Sequence, residues 1–211
     1  MSFVLTARDL DICRALTLRV RILAIKQVAD IWWAEKTASR TVHRRMEQLT
    51  RQGWLERHVI NAHPLLPVTK PLFAWSPEHE EPDAERVAEA TQSRWNLPAE
   101  PTEIVVATAR TACLLGSTAK CLPPPEHRDH DLRLSAVYAH YRLKHFTLAS
   151  LWLGEHALSK AGFRVKDPDA FLVDANRRVL KVIESAGRYG PQQVQSFHDH
   201  CVEFDLSYEL W

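Results

Sequence analysis

Apolar residues in the first 55 positions recur every three or four residues, a spacing that predicts three amphipathic helices. The first helix is expected over residues 7–18, where Thr6 can cap its amino end. The second is expected over residues 24–34, and the third over residues 37–52, before Gly53. The apolar stripes expected to be buried are Ile25, Val28, Ala29 and Trp32 in the second helix, and Val42, Met46 and Leu49 in the third.

Two β-rich runs follow the third helix. Residues 54–60 and 70–75 are separated by a polar loop rich in proline, and this pattern predicts a β-hairpin. The chain is therefore expected to open with three helices and a hairpin.

The order helix, helix, helix, hairpin resembles the winged helix-turn-helix family over about 70 residues, and the stretch VxRRMEQLxRQGWLER is similar to that family's third helix and first wing strand. The resemblance implies that the third helix enters the major groove of duplex DNA. Short polar and basic side chains on such a helix reach base edges and phosphates. The residues expected to contact DNA are Ser39, Arg40, His43, Arg44 and Arg51. The alternative is a winged helix that contacts only proteins, with its arginines as a solvated face.

Charge is distributed unevenly along the 211 residues, although the formal net charge is only +1. Residues 1–58 hold 11 Lys or Arg against 6 Asp or Glu, and the remainder holds 16 against 20. A basic first segment favours a polyanionic partner, which supports double-stranded DNA. We also expect a homodimer on DNA, because two-fold pairing doubles the short half-site that one such domain covers.

Prolines divide the rest of the chain. Residues 82–96 predict one solvated helix that begins at Pro82 and Asp83. Residues 102–122 combine a β-branched run with a short helical pattern, and their placement stays open. We expect an α+β protein with a winged helix at 1–78, a linker with a helix at 79–125 and a second domain at 126–211.

The last 65 residues show a second ordered pattern. Residues 147–161 predict an amphipathic helix that carries Glu155 within its apolar stripe, either at the edge and reaching water or paired. Strands are expected at 163–165, 168–174, 178–185 and 208–211, with a turn at Asn176 and a helix at 190–204. A turn there places Asp169 opposite residues 182–184 and therefore close to Glu184.

This order, together with the residues E…PD…E, resembles the PD-(D/E)XK, or restriction-endonuclease-like, superfamily over about 65 residues. The resemblance implies that Asp169 and Glu184 hold Mg²⁺ and that Glu155 is the acid on the first helix of the module. The motif lysine is absent, since Ala186 stands at its position. Arg188 or Lys181 could replace it, but strand alternation puts Lys181 on the opposite face from Glu184. The module is therefore either a binding platform without catalysis or a Mg²⁺-dependent DNA endonuclease.

The whole arrangement is similar to bacterial replication-relaxation proteins, through His130-Asp131-Leu132, the PDA sequence and a V-I-E strand. That resemblance implies a DNA-binding regulator or accessory protein of a plasmid or another mobile element. His130 is expected either to cap or orient the following helix or to join the acidic cluster. The absence of GxxxxGK[ST], GxGxxG, GxSxG and HExxH disfavours nucleotide-dependent enzymes, esterases and zinc proteases.

The remaining polar clusters have simpler explanations. The His198–Cys201 segment lacks a CxxC partner, so a helix end is preferred to a zinc site. The four cysteines lie far apart, and neither a signal peptide nor an apolar span of membrane length is visible. We therefore expect a cytoplasmic protein without disulfides or a membrane partner.

Overall fold

The computed structural model describes residues 3–33, 39–65, 68–117, 122–155 and 168–211, and it is an α+β protein. Two sheets organise the described chain, one with strand order β1-β4-β2 and one with order β3-β8-β7-β6-β5. In chain order the elements are α1 (Ala7–Leu18), β1 (Leu23–Ala24), α2 (Ile25–Trp32), α3 (Ser39–Arg51), β2 (Leu55–Ala62), β3 (Phe73–Trp75), α4 (Ala84–Gln92), a 3₁₀ turn (Ser93–Trp95), β4 (Glu100–Ala107), α5 (Ala109–Leu114), α6 (Pro125–Lys144), α7 (Phe146–Ser150), β5 (Trp152–Gly154), β6 (Ala170–Val173), β7 (Val179–Glu184), α8 (Pro191–Glu203) and β8 (Tyr208–Leu210).

Helix α1 confirms the predicted first helix and its cap. The Asp9 backbone N–H donates to Thr6 Oγ1 at 3.3 Å, and the Thr6 N–H donates to Asp9 Oδ2 at 2.7 Å. This reciprocal pair satisfies two of the amide groups that a helix leaves without partners at its amino end. Asp9 is fully buried, and Arg45 from α3 pairs with its carboxylate.

Helices α2 and α3 lie where the sequence predicted them. Val42, Met46 and Leu49 form the buried face of α3, each at most 1% exposed. The chain leaves α3 through Gly53 at φ +72°, a left-handed conformation in which glycine has no Cβ penalty. The Trp54 N–H then donates to the Leu49 carbonyl at 3.0 Å, which closes the helix before β2.

The predicted hairpin of residues 54–60 and 70–75 is wrong in its second strand. Strand β2 pairs antiparallel with β4, from Leu55 opposite Ala107 to Ala62 opposite Glu100. Strand β3 instead pairs with β8, because Trp75 stacks on Tyr208 and is buried in the second sheet's core. The expected division at residue 78 therefore separates β2 from its partner β4.

The region between β3 and β4 is also more buried than the sequence suggested. Helix α4 begins behind the predicted Asp83 cap, whose side chain accepts from the Arg86 N–H at 3.0 Å. Its face with Val87 and Ala88 is buried in the same apolar cluster as α8, so the helix is not simply solvated. Residues 102–107, whose placement could not be predicted from the sequence, lie within β4.

The second sheet confirms the predicted hairpin, helix and last strand. Strands β6 and β7 are antiparallel, with Ala170 opposite Ile183, and β7 runs parallel to β8 through α8. The Asp174 side chain accepts from the Asn176 and Arg178 N–H groups, which fixes the turn. Residues of β6 alternate between two apolar clusters, one shared with α6 and the other with α8, so helices cover both faces of this sheet.

The predicted helix over 147–161 is wrong for residues 152–154, and its residues 156–161 lie outside the described residues. Helix α7 ends at Ser150, and the chain continues as β5. Trp152 is fully buried, its indole N–H donates to the Arg19 carbonyl at 3.1 Å, and it pairs with Leu172 of β6. Burial of the large indole and strand pairing therefore outweigh the helical periodicity. The expected strand 163–165 lies outside the described residues.

Helix α6 connects the two halves of the molecule. It begins at Pro125, which has no N–H to lose at the first helical position. Residues 126–131 form its first turns. Leu132 packs against the first sheet, whereas Val137 and Tyr138 belong to the core shared with α1, α3 and β6. This helix therefore holds His130 at a fixed place between the sheets.

Candidate functional site

Helix α3 presents its polar face to solvent. Ser39, Arg40, Arg44 and Arg51 are exposed, while the opposite face of the helix is buried. Arg40 and Arg44 are four residues apart and therefore share one side of the helix. Among the described residues, neither guanidinium forms an ion pair. Two unpaired cations thus project from one helical face.

The other two basic residues predicted for this face each have an acidic partner. Arg51 pairs with Glu47 one turn earlier. His43 is half-buried and its Nδ1 lies 3.2 Å from Glu103 Oε2, while Arg57 pairs with the same carboxylate. Glu103 belongs to β4, so the strand that completes the first sheet carries negative charge beside α3. Arg40 and Arg44 are therefore the strongest candidates for contacts with an anion.

Asp169 and Glu184 meet at the end of the β6–β7 hairpin, as the register predicted. The Asp169 N–H donates to Glu184 Oε2 at 3.3 Å, and the Ser185 N–H donates to Asp169 Oδ2 at 2.8 Å. Tyr189 donates its hydroxyl to Glu184 Oε1. Both acids are at least 95% buried, so these donors partly replace the water that each carboxylate loses.

His130 of α6 joins this pair. Its Nε2 lies 2.9 Å from Asp169 Oδ2, and its Nδ1 lies 3.4 Å from Asp131 Oδ1. Burial disfavours the charged imidazole, but the negative charge of Asp169, hydrogen bonds to both aspartates and the charge of Glu184 raise the His130 pKa to about 10. The imidazole is therefore cationic at neutral pH. Of the two expectations for His130, membership of the acidic cluster is confirmed and the helix cap is wrong.

Glu155 does not complete a three-carboxylate cluster. Its backbone N–H donates to the Asp169 carbonyl at 3.0 Å, but its carboxylate pairs with Arg21 at 3.4 Å. Arg21 also lies 3.7 Å from Asp131 Oδ2. The described residues contain no group of three or more His, Cys, Asp or Glu side chains placed to hold a metal ion. Neither Arg21 nor Tyr189 was singled out by the sequence, since both depend on contacts between distant segments.

No described cation replaces the missing motif lysine at Glu184. Ala186 is fully buried. Lys181 donates to Glu209 on β8 at 2.6 Å, which agrees with its expected position on the opposite face. The guanidinium carbon of Arg188 lies 5.7 Å from the centroid of the Trp95 ring. Ala186 therefore supplies no charge, and the cationic groups of Lys181 and Arg188 contact other side chains.

The His198–Cys201 segment lies within α8 and supports the sheet. His198 is buried, with Nδ1 3.0 Å from the Tyr208 hydroxyl. Burial and the charge of Glu184 raise the pKa of the Cys201 thiol to about 12, which keeps it protonated at neutral pH. His198 and Cys201 are both buried beside the second sheet, so packing explains this segment.

Comparison of the chain with protein-family models, curated proteins and solved structures found no match. Among the helices that the structure describes, none has both the length and the apolar character needed to cross a bilayer.

The raised pKa of His130 predicts how stability depends on pH. An unfolded histidine titrates near 6.5, so the charged His130 contributes its full stabilisation below that pH and loses it as pH rises through about 10. We expect the urea-unfolding free energy to fall between pH 7 and 10.5 more steeply in the wild type than in His130→Gln. Parallel pH profiles for the two proteins would contradict a cationic His130.

Proposed function

We propose that this protein binds duplex DNA through helix α3 and has no catalytic activity of its own. The observation that carries the proposal is the pair of exposed arginines, Arg40 and Arg44, which have no ion-pair partner among the described residues and lie on a helix whose other face is anchored in the core. A rigid helix with cations on one side suits the major groove, where Arg binds phosphate oxygens and guanine edges.

The surroundings of α3 support this orientation. Val42, Met46 and Leu49 face the core, so the Arg40–Arg44 side faces solvent. Asp9 holds Arg45 on the inner side, which fixes the rotation of the helix about its axis. The first sheet, with strand order β1-β4-β2, lies behind the helix. We propose that these helices and this sheet form a variant of the winged helix-turn-helix fold.

The strands contribute less to the proposed interface than the helix. Glu103 pairs with Arg57 and contacts His43, and Glu100 stands at the start of β4. His63, just beyond β2, is tied to Asp129 of α6 through its N–H at 2.6 Å and its Nδ1 at 2.8 Å. A segment held this way is not free to enter a minor groove, so we assign the DNA contacts mainly to α3.

A second candidate function is Mg²⁺-dependent DNA cleavage, favoured by the closeness of Asp169 and Glu184. Such a reaction needs carboxylates open to a divalent cation and a cationic or basic group beside the attacking water. Here the His130 imidazolium already neutralises Asp169, and Ala186 occupies the lysine position. We therefore propose that the second sheet and its helices form a nuclease-like platform that supports binding. A regulatory role in a mobile element and a homodimer on DNA stay predictions.

Cleavage assays distinguish the two candidates. We expect no Mg²⁺- or Mn²⁺-dependent nicking of supercoiled plasmid above background, because loss of positioned cationic help costs orders of magnitude in rate. Asp169→Asn and Glu184→Gln should bind duplex DNA as tightly as the wild type. Nicking by the wild type that both substitutions abolish would promote the endonuclease over the binding platform.

A further inference from the structure

A cavity of about 310 Å³ lies away from both α3 and the carboxylate cluster. It is bounded by the segment after β2, the 3₁₀ turn, helix α6 and Trp211. The described residues that line it are Val68, Thr69, Lys70, Pro71, Leu72, Arg94, Arg133, Val137 and Trp211. This volume lies at the lower end of the range for small-molecule sites.

The lining combines three cations with an apolar wall. Lys70, Arg94 and Arg133 are the charged members, and none of the described lining residues is Asp or Glu. The Arg133 guanidinium lies over the Trp95 ring at 5.4 Å, which fixes its plane. Arg133 Nε is buried and has no hydrogen-bond partner within the described part of the chain. A buried donor in this state favours an acceptor that the chain itself does not supply.

The two arginines also repel one another. Burial and the positive charge of Arg133 lower the Arg94 pKa to about 10, and burial lowers the Arg133 pKa despite the opposing charge of Asp129. Asp129 is already bound by the backbone and ring of His63. Two half-buried like charges with so little compensation lie close together at an electrostatic cost. An anion between them would relieve this repulsion.

We propose that this cavity binds a phosphate monoester, with its phosphoryl group between Arg94 and Arg133 and its organic part against the partly exposed side chains of Val68 and Leu72. A phosphate monoester carries close to two negative charges at neutral pH, and three cations suit it better than a diester with one charge. Guanidinium groups bind phosphate oxygens in a bidentate manner, which adds geometric selectivity. The monoester is carried either by a free nucleotide or by the 5′ end of a DNA strand, and the proposal is independent of α3.

The experiment measures binding to the full chain at constant ionic strength. Isothermal titration calorimetry is run with deoxyadenosine monophosphate, and with a short single-stranded oligonucleotide carrying either a 5′-phosphate or a 5′-hydroxyl. The variants are Arg94→Gln and, as a control for charge, Arg178→Gln on the exposed β6–β7 turn. Thermal unfolding with and without each probe shows whether every variant is folded, since a ligand that binds the folded state raises Tm.

We expect at least one phosphomonoester probe to bind the wild type, and Arg94→Gln to weaken it by roughly tenfold to a hundredfold, as for a lost charged hydrogen bond. Arg178→Gln should bind like the wild type. Binding of the mononucleotide identifies a free nucleotide as the source, and binding of the 5′-phosphorylated strand alone identifies a strand end.

The stability measured in anion-free buffer provides a second readout. Arg94→Gln should be at least as stable as the wild type there, because the substitution removes the repulsion with Arg133. The proposal is overturned if no monoester probe binds the wild type, if the mononucleotide fails to bind and the 5′-hydroxyl strand binds as tightly as the phosphorylated one, or if Arg94→Gln binds the monoester as tightly as the wild type.

Discussion

Replacing Arg40 and Arg44 together with alanine is expected to weaken duplex DNA binding by roughly a hundredfold near 0.1 M salt, since each such arginine contact contributes about 1–3 kcal/mol. Both side chains are exposed and lack ion-pair partners among the described residues, so their removal leaves the fold of α3 intact. Fluorescence anisotropy with a labelled duplex measures the loss.

The matched control removes two exposed cations elsewhere. Lys144→Ala with Arg178→Ala lowers the net charge by the same amount but touches neither α3 nor the first sheet. We expect this control to bind DNA within about threefold of the wild type, because a distant exposed charge is largely screened by salt. Equal losses in both double variants would mean that net charge, and not α3, determines binding.

Removing the neighbouring Arg45 is expected to cause a large loss of stability, whereas removing Arg40 and Arg44 should leave the fold intact. Arg45 Nε donates to Asp9 Oδ1 at 3.0 Å, its Nη2 pairs with Oδ2, and Asp9 is fully buried. Arg45→Ala would leave that carboxylate buried without its cation, which costs about 3–5 kcal/mol. Urea unfolding monitored by circular dichroism measures the change.

Arg44→Ala is the control for this prediction, since an exposed side chain next along the helix should change stability by no more than about 0.5 kcal/mol. Asp9→Asn with Arg45→Ala should be less destabilised than the two single changes added together, because the carboxylate and guanidinium act as a pair. A loss below about 1 kcal/mol in Arg45→Ala would show that the pair is not what holds α1 on α3.

Elements fixed by local signals could be predicted from the sequence. The Thr6 cap, the stripe of Val42, Met46 and Leu49, and the Asn176 turn each involve residues within a few positions of one another. Because hairpin register follows from turn position, the closeness of Asp169 and Glu184 could also be predicted.

Elements that depend on long-range pairing could not. Nothing within residues 70–75 distinguishes a partner at 54–60 from the distant strand β8, and only the burial of Trp75 against Tyr208 decides between them. Similarly, residues 147–161 keep a helical period until Trp152 is placed in the core beside Leu172. Local hydrophobic periodicity predicts secondary structure poorly where a large aromatic side chain is buried through contacts with distant segments.

Part of the candidate site could not be predicted, because some of its contacts also join distant segments of the chain. Asp169 and Glu184 lie on one hairpin, whereas His130 approaches from α6, 39 positions away from Asp169. Glu155 was expected on a helix face and instead follows a strand, where Arg21 from the first half of the chain pairs with it. Joining the acidic cluster was one of two alternatives for His130, whereas the pairing of Arg21 with Glu155 connects distant segments and leaves no local pattern in the sequence.

The most direct test of the proposed function is the salt dependence of duplex DNA binding. Each phosphate neutralised by a cation adds about 0.9 to the slope of log K against log salt concentration. If Arg40 and Arg44 each contact a phosphate, the wild-type slope should be steeper than that of the Arg40→Ala, Arg44→Ala protein by about 1.8. Identical slopes in the two proteins, or no measurable binding by the wild type at low salt, would contradict the assignment of α3 as the DNA-binding helix.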